Sequence, residues 1–286
     1  MMTKVESIVQ SLQEKEIIHL DEQVFTRMKG TTDGQVLVLK ENGKAKYILK
    51  LDQPQQIDYV EKFLRKYQHV GLFPKLLYSD SNKNFILYSY IEGTTHFNRG
   101  SKVNWMSKLV EELFNHYEKC DKTLEWGRIG IPRQSWHEFN TYSVEGAYSN
   151  LGSLLPIEDY NKVKFLVDKL FKLEKEEKYM LHGDTGVHNF VFHNYELAGI
   201  IDPSPLVGPV LYDFTYAFCS SPDDLNLETL FTAFSLLKNV NIDKTRLIEE
   251  VLIQLYTRIG ICAKVHPHEL DEYLEAWEYW RDFLPC

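Results

Sequence analysis

The order of strand-like and helix-like segments is the strongest constraint on the fold. After a short amphipathic helical pattern in residues 1–20, strand-like runs cover 24–29, 35–40 and 46–51. A helical pattern follows from Ile57 to Gln68, and two further strand-like runs lie at 75–78 and 85–90. The Asn42-Gly43 step predicts a tight hairpin, because both central residues of such a turn need positive φ. Residues 1–92 are therefore predicted to form a five-stranded domain with one principal helix.

Beyond Glu92-Gly93 the pattern becomes mainly helical. Helix candidates cover residues 105–120, 157–177, 226–238, 245–261 and 267–284. No internal repeat or low-complexity tract interrupts them. The sequence thus predicts an α+β protein with a small, mixed, β-rich N-terminal lobe over 1–92 and a larger, mainly helical C-terminal lobe over 93–286.

Composition narrows the class of protein. The chain has 286 residues, of which 44% are hydrophobic, enough to bury a core without disulfides or structural metals. The cysteines show no spacing typical of zinc sites or disulfide frameworks, which favours a reducing, cytoplasmic location; they are Cys120, Cys219, Cys262 and Cys286. The charged N-terminus argues against a signal peptide, and no apolar run reaches the length of about 20 residues that spans a bilayer.

A formal net charge of −9 argues against a nucleic acid as the principal partner, since phosphate backbones are bound by clustered Lys and Arg. An acidic surface often serves solubility alone. It would also suit a cationic substrate.

One stretch in the second half of the chain concentrates polar groups that could do chemistry. His182, Asp184 and Asn189 precede or follow apolar, strand-like runs, and Asp202 ends the next run after a turn at 194–196. Such a hairpin would bring Asp184, Asn189 and Asp202 to one end. Two other interpretations remain open: a polar hairpin with carboxylates at its turns, and a transition-metal hydrolase site built from His182, Asp184 and His188.

Asp184, Asn189 and Asp202 are the types of side chain that phosphoryl transfer from ATP needs. One carboxylate must orient an acceptor hydroxyl and take its proton, and hard oxygen ligands must hold magnesium on the phosphates. Asp184 fits the first role, and Asn189 with Asp202 fits the second.

The same residues resemble the aminoglycoside phosphotransferase and choline kinase group of small-molecule kinases. This resemblance implies a two-lobed, protein-kinase-like fold, ATP with Mg²⁺ as cofactors, and a hydroxyl-bearing small-molecule substrate. It also implies that Asp184 is the catalytic base, that Asn189 and Asp202 hold the metal, and that His182 and Asp213 brace the catalytic loop. The motifs that carry it are His182-Gly183-Asp184 with Asn189, Ile200-Ile201-Asp202, Gly208-Pro209, and Leu211-Tyr212-Asp213-Phe214 with Ala217.

In the N-terminal half, the resemblance implies a nucleotide site. Lys50, on the third strand, would neutralise the α- and β-phosphates, and Glu61 on the following helix would pair with it, with Asp58 as a substitute partner. Gly30 and Gly34 would flank a loop over the phosphates, because glycine lets backbone N–H groups approach an anion. A solvated strand lysine, a surface glutamate and an ordinary hairpin loop are the corresponding alternatives.

The run 85–93 resembles the family's strand leading into the hinge between lobes. Backbone groups of Ser89, Tyr90 and Ile91 would then meet the base, with ATP expected and GTP left open.

The acceptor stays open at this point. In the C-terminal segment 268–283, acidic side chains could be a solvated face or could bind amino groups of an aminoglycoside, whereas Trp277 and Trp280 could face a quaternary ammonium as in choline kinases. Amino-acid alcohols and sugars are further candidates. A catalytically silent, kinase-like nucleotide-binding protein is the alternative from another class, given the indistinct phosphate loop and Pro203 after Asp202.

Overall fold

The computed structural model of the chain describes residues 3–20, 25–27, 34–173, 176–238 and 240–285, with residues 25–27 as backbone alone. In chain order the first elements are α1 Lys4–Glu14, β1 Phe25–Arg27, β2 Gln35–Glu41, β3 Lys44–Leu51, α2 Pro54–Lys66, β4 Leu76–Ser79, β5 Phe85–Ser89 and β6 Thr94–Thr95. The next are α3 Lys102–Glu112, β7 Trp126–Arg128, β8 Ile131–Arg133, α4 Trp136–Leu151, α5 Ile157–Phe171, β9 Tyr179–Leu181, β10 Phe190–His193, β11 Glu196–Ile200 and β12 Leu206–Gly208. The last are α6 Val210–Phe218, α7 Leu227–Phe234, α8 Lys244–Val265 and α9 Leu270–Trp280.

Contacts divide the chain into two compact units. The first, called the sheet unit, is Met1–Asn98 with Phe190–Asp202; the second, the helical unit, is Arg99–Asn189 with Pro203–Cys286. We expected a single division after residue 92. The hairpin β10–β11 instead goes with the sheet unit, because β10 pairs with β6 and the N–H of Ile200 donates to the carbonyl of Leu72 at 2.8 Å.

The sheet unit contains the predicted five strands. Over the described residues they are antiparallel in the order β1-β2-β3-β5-β4. Asn42 and Gly43 have φ of 51° and 74°, as the predicted hairpin turn between β2 and β3 requires. One face of the sheet packs on α1, whose Val9 and Leu12 are buried against sheet residues such as Leu49. Helix α2 buries its own apolar stripe, Ile57, Val60, Phe63 and Leu64.

The helical unit is built around α8, which packs along α4 and α5. Sequence patterns missed α4, because its polar residues and central Gly146 hide the helical period. The helix begins at Ser135, whose hydroxyl accepts the N–H of Glu138 at 2.9 Å. A second antiparallel sheet, ordered β8-β7-β12-β9 over the described residues, lies in the same unit. Its edge strand β9 leads directly into the loop that carries Asp184.

The C-terminal helix α9 is an amphipathic core helix. Trp277 and Trp280 are fully buried; their indole N–H groups donate to Asp159 Oδ2 at 2.8 Å and to the carbonyl of Leu225 at 2.9 Å. The interpretation that these two rings face a quaternary ammonium is therefore wrong, because the rings belong to the core. None of the helices in the described ranges is long and apolar enough to cross a bilayer.

The close packing of α4 on α8 yields a stability prediction. A Cβ added at Gly260 of α8 would lie 2.4 Å from Ala147 Cα, so Gly260→Ala should force the helices apart and lower the free energy of unfolding by about 1–3 kcal/mol. Gly146→Ala on α4 is the matched control, since a Cβ added there meets no described atom within 4 Å outside the nearby helix backbone. It should raise stability by about 0.5–1 kcal/mol. Urea unfolding monitored by circular dichroism checks both; equal shifts would contradict the packing.

Candidate active site

A sharp turn after β9 presents Asp184. Gly183 in this turn has φ of 77°, and a Cβ there would lie 2.2 Å from the carbonyl oxygen of Ser204. Only glycine fits both restrictions. The N–H of Ser204 donates to the carbonyl of His182 at 2.9 Å, so the turn is held against the segment that follows residue 202.

Among the described residues, the carboxylate of Asp184 has three side-chain partners. Tyr216 donates to Oδ1 at 2.9 Å, Asn189 donates to Oδ2 at 2.9 Å, and His188 Nε2 lies 3.3 Å from Oδ2. Burial raises the pKa of Asp184, but the His188 hydrogen bond, the charges of His188 and His182 and the Tyr216 hydroxyl outweigh it, so the pKa lies well below its usual value. The group is a fixed, ionised carboxylate at neutral pH.

Asp213 lies beneath the turn on α6. Its carboxylate accepts the N–H of Gly183 at 3.2 Å and the hydroxyl of Tyr117 at 2.6 Å. Burial raises the pKa of Asp213 to about 6 against the opposing effect of these hydrogen bonds. Buried His182 accepts the N–H of Asp184 on Nδ1 at 3.3 Å. Both residues thus contact the loop backbone, the arrangement expected for braces.

Sequence reasoning missed Tyr216 and His188 as partners of Asp184. Tyr216 stands three residues after Asp213, so one face of α6 carries both. That i, i+3 spacing was the available signal. His188 was considered only as a metal ligand, whereas the structure makes it a hydrogen-bond partner of the carboxylate.

Asn189 has an amide oxygen available. Its Nδ2 donates to the backbone and side-chain oxygens of Asp184, at 3.0 and 2.9 Å, and its Oδ1 receives no hydrogen bond from the described residues. Hard amide and carboxylate oxygens are ligands that magnesium accepts. Within the described ranges, no cluster of three or more His, Cys, Asp or Glu side chains is placed to hold a metal ion, so the hydrolase interpretation finds no support.

In the sheet unit, Lys50 pairs with Asp202. The ammonium on β3 is buried, contacts Asp202 Oδ1 at 2.5 Å and lies 3.9 Å from Asp52 Oδ2. Asp202 has φ of 57°, a left-handed conformation that costs energy in a non-glycine residue and often marks functional positions. Its other carboxylate oxygen receives no hydrogen bond from the described residues.

The predicted partner of Lys50 is wrong. Glu61 accepts hydrogen bonds from Arg65 Nε at 2.8 Å, from Ser79 Oγ at 2.6 Å and from Lys83. Burial raises the pKa of Glu61, yet these donors, Lys83 first, bring it down to about 2.

The substitute partner is wrong as well, because Asp58 pairs with Lys62 at 2.6 Å. The helical period correctly predicted which side of α2 is buried. It could not predict which basic residues pair with the carboxylates of that helix.

The phosphate-loop glycines are only partly visible. Gly30 lies outside the described residues. Gly34 is described, and a Cβ there would lie 2.8 Å from the carbonyl of Leu51 and 3.2 Å from the carboxylate of Asp52. The position therefore needs glycine for close strand approach, and its contact with phosphate stays a prediction.

The sheet unit contains an apolar cavity of about 380 Å³. The predicted base-contacting residues line it: the full lining is Val36, Ile48, Tyr88, Ser89, Tyr90, Ile91, Gly93, Thr94, Thr95, Phe97, Val191 and Ile201. Tyr90 donates its N–H to the carbonyl of Lys46 at 2.9 Å, whereas the N–H of Ile91 has no acceptor in the described part of the chain. An apolar cavity whose wall offers a backbone N–H without an acceptor among the described residues suits a planar heterocycle.

Solved structures of aminoglycoside phosphotransferases share the fold. The ADP-bound APH(2'')-Ib is 17% identical, with 98% of this chain and 99% of that chain covered at a TM-score of 0.60. The ternary complex of APH(2'')-IIa with streptomycin and ATP is 16% identical, with 99% and 97% covered at 0.60. A thermostable APH(4)-Ia mutant with AMP-PNP and hygromycin B is 15% identical, with 96% and 97% covered at 0.59.

No protein-family model matches the sequence of this chain, and no curated protein matches it either. The structural likeness extends over nearly the whole chain and confirms the predicted α+β, protein-kinase-like fold. This chain has the fold of the aminoglycoside phosphotransferases.

Proposed function

We propose that this protein is a magnesium- and ATP-dependent phosphotransferase that moves the γ-phosphoryl group to a hydroxyl of a small molecule. The observation that carries the proposal is the Asp184 carboxylate, which Tyr216, Asn189 and His188 hold by hydrogen bonds and whose pKa the two histidines and Tyr216 lower, on a turn that Asp213 braces. A carboxylate held in this way orients an acceptor hydroxyl and takes its proton.

The second support comes from the hairpin between the two predicted metal ligands. Asn189 directly precedes β10, Asp202 follows β11, and Phe190 of β10 lies opposite Ile200 of β11. Asn189 and Asp202 would therefore hold Mg²⁺ through oxygens that no described hydrogen-bond donor occupies. Magnesium would neutralise negative charge on the phosphates.

Nucleotide binding is the role proposed for the sheet unit. The base would enter the apolar cavity and meet the N–H of Ile91, which has no acceptor among the described residues, while Lys50 would contact the phosphates. Some of the related solved structures hold ADP, ATP or AMP-PNP and others hold GDP, so GTP stays an alternative donor. We take ATP as the donor.

The reaction follows from these assignments. The acceptor oxygen forms a bond to the γ-phosphorus as the bond from that phosphorus to the β–γ bridging oxygen breaks, and ADP leaves. The acceptor's proton passes to an Asp184 oxygen, whose low pKa makes it a weak base that serves chiefly to position the hydroxyl. Catalysis of this kind rests on orientation and charge stabilisation.

The acceptor class is proposed from the ligands of related solved structures and from the position of two tryptophans. Aminoglycosides are bound in related solved structures, those with streptomycin and hygromycin B among them. Burial of Trp277 and Trp280 removes the aromatic faces considered for choline. An aminoglycoside-type antibiotic or a related hydroxyl-bearing metabolite is therefore the proposed acceptor.

Replacing the proposed base tests the reaction. Asp184→Asn keeps the size of the side chain and can still accept from Tyr216, but it loses the negative charge that would orient the acceptor hydroxyl and receive its proton; turnover should fall about 10²–10⁴-fold. Magnesium-dependent ADP release across a panel of hydroxylated compounds measures the effect. Asp168→Asn, at an exposed carboxylate paired with His137, is the matched control. Unchanged turnover in Asp184→Asn would remove the assignment.

The metal ligands are tested by nucleotide binding. Asp202→Ala should weaken ATP binding in the presence of Mg²⁺, because the phosphates lose the ion that this carboxylate helps to hold, and the variant and wild type should bind alike in EDTA. Calorimetric titration measures both conditions. Asp58→Ala, on the surface of α2, is the control, and an ATP affinity insensitive to both Asp202→Ala and EDTA contradicts the assignment.

A pair of lysine variants tests the phosphate contact and the correction at Glu61. Hydrogen bonds to charged groups contribute about 1.5–3 kcal/mol, so Lys50→Gln should lower nucleotide affinity at least about tenfold. Lys83→Gln removes the same charge from the partner of Glu61 and should leave that affinity unchanged. Equal losses in the two variants, measured by the same titration, would mean that Lys50 has no special role.

A further inference from the structure

Arg128 is a part-buried cation beside the catalytic turn that no motif pointed to. It ends β7, where it lies opposite Leu206 of β12, and Leu206 in turn lies opposite Leu181 of β9. Leu181 directly precedes His182-Gly183-Asp184. Because neighbouring strands are about 4.8 Å apart, this register sets the Cα of Arg128 about 10 Å from the start of the turn, within reach of a long side chain.

The guanidinium has few protein partners. Nη1 donates to Ser204 Oγ at 2.5 Å and lies 3.5 Å from the carbonyl of Ser204. Among the described side chains, no carboxylate lies within 4.0 Å of it, and Nε and Nη2 have no hydrogen-bond acceptor there. Arginine carries five N–H donors in a planar fork, so most of its capacity is unused.

The neighbourhood keeps this group charged. Burial lowers the pKa of Arg128, but Tyr212, Tyr216, Asp184 and Asp213 raise it by more. Arg258, which also acts on Tyr216, is different: its guanidinium is paired with Glu269 at 3.2 Å and with the hydroxyl of Tyr273. A mostly desolvated cation without an ion pair is unfavourable in a purely structural role and is typical of binding sites.

We propose that Arg128 is a binding residue for an anionic oxygen group, a phosphoryl or carboxylate group, beside Asp184 in the helical unit. Planar guanidinium forks match such groups through two parallel hydrogen bonds. The group is either the phosphoryl group being transferred or an acidic substituent on the acceptor. This inference rests on the proposed function, and in the second case it narrows the acceptor to hydroxylated compounds that also carry a carboxylate or phosphate.

Inorganic phosphate is the first probe, and its binding is independent of catalysis. Arg128→Gln should weaken phosphate binding at least tenfold, and Arg128→Lys should weaken it less, because the charge remains. Arg133→Gln, an arginine on the neighbouring strand β8, is the matched control. Ser204→Ala removes the brace while leaving the guanidinium. Phosphate titration followed by tryptophan fluorescence, with thermal unfolding of each variant, provides the readout.

Kinetics then separate the two sources. If the group is the transferred phosphoryl, Arg128→Gln lowers kcat at least tenfold for every acceptor, water included, as measured by ATP hydrolysis. If it belongs to the acceptor, the variant raises KM at least tenfold for acid-bearing hydroxyl compounds and leaves ATP hydrolysis and the KM for neutral or cationic acceptors unchanged.

Two results would overturn the proposal. One is phosphate binding by folded Arg128→Gln equal to that of the wild type; should that variant not fold, Arg128→Lys with wild-type phosphate binding and kinetics has the same meaning. The other is a Ser204→Ala variant that loses as much as Arg128→Gln, which would reduce Arg128 to a brace of the turn. A wild-type protein that binds phosphate through Arg128 but transfers no phosphoryl group from ATP to any acceptor would contradict the proposed function and leave the binding role of Arg128 standing.

Discussion

The buried hydrogen bond from the N–H of Gly183 to the carboxylate of Asp213 determines where the carboxylate of Asp184 lies. Asp213 is inaccessible to water, and its pKa is raised by that burial, so its charged form depends on the donors that face it, the Tyr117 hydroxyl and the backbone N–H groups of Gly183 and His182. Losing any of these donors would leave a buried charge less well solvated. The turn and α6 are thereby locked to each other, and Asp184 keeps a fixed orientation.

The sheet unit also contains a charged group that is withdrawn from water and compensated by a partner. The ammonium of Lys50 is withdrawn from water and pairs with Asp202, whose backbone is held in a left-handed conformation. A pair of this kind preorganises both side chains, so that neither must give up its own hydration shell when a charged ligand arrives. Glu61 serves a separate cluster with Arg65 and Lys83, which ties α2 to the segment preceding β5.

Local signals allowed much of the fold and part of the candidate site to be predicted from the sequence. The Asn42-Gly43 turn follows from backbone conformational preference within two residues, and the strand and helix periods follow from alternation along a few residues more. Partner choice is different: Glu61 selects Lys83 over Lys50 through packing between segments distant in the chain. Tyr216 and Arg128 were missed because they come near Asp184 only through the packing of α6 and β7 beside its turn, which the sequence does not show.

The central proposal is that Asn189 and Asp202 would hold magnesium on the nucleotide phosphates. A crystal structure of the protein with ADP and Mg²⁺ tests it most directly. The account predicts a single ion with Asn189 Oδ1 and an Asp202 carboxylate oxygen both at about 2.0–2.1 Å. An ion on the ADP phosphates that neither side chain approaches, or nucleotide bound away from the cavity lined by Ser89 and Ile91, would contradict it.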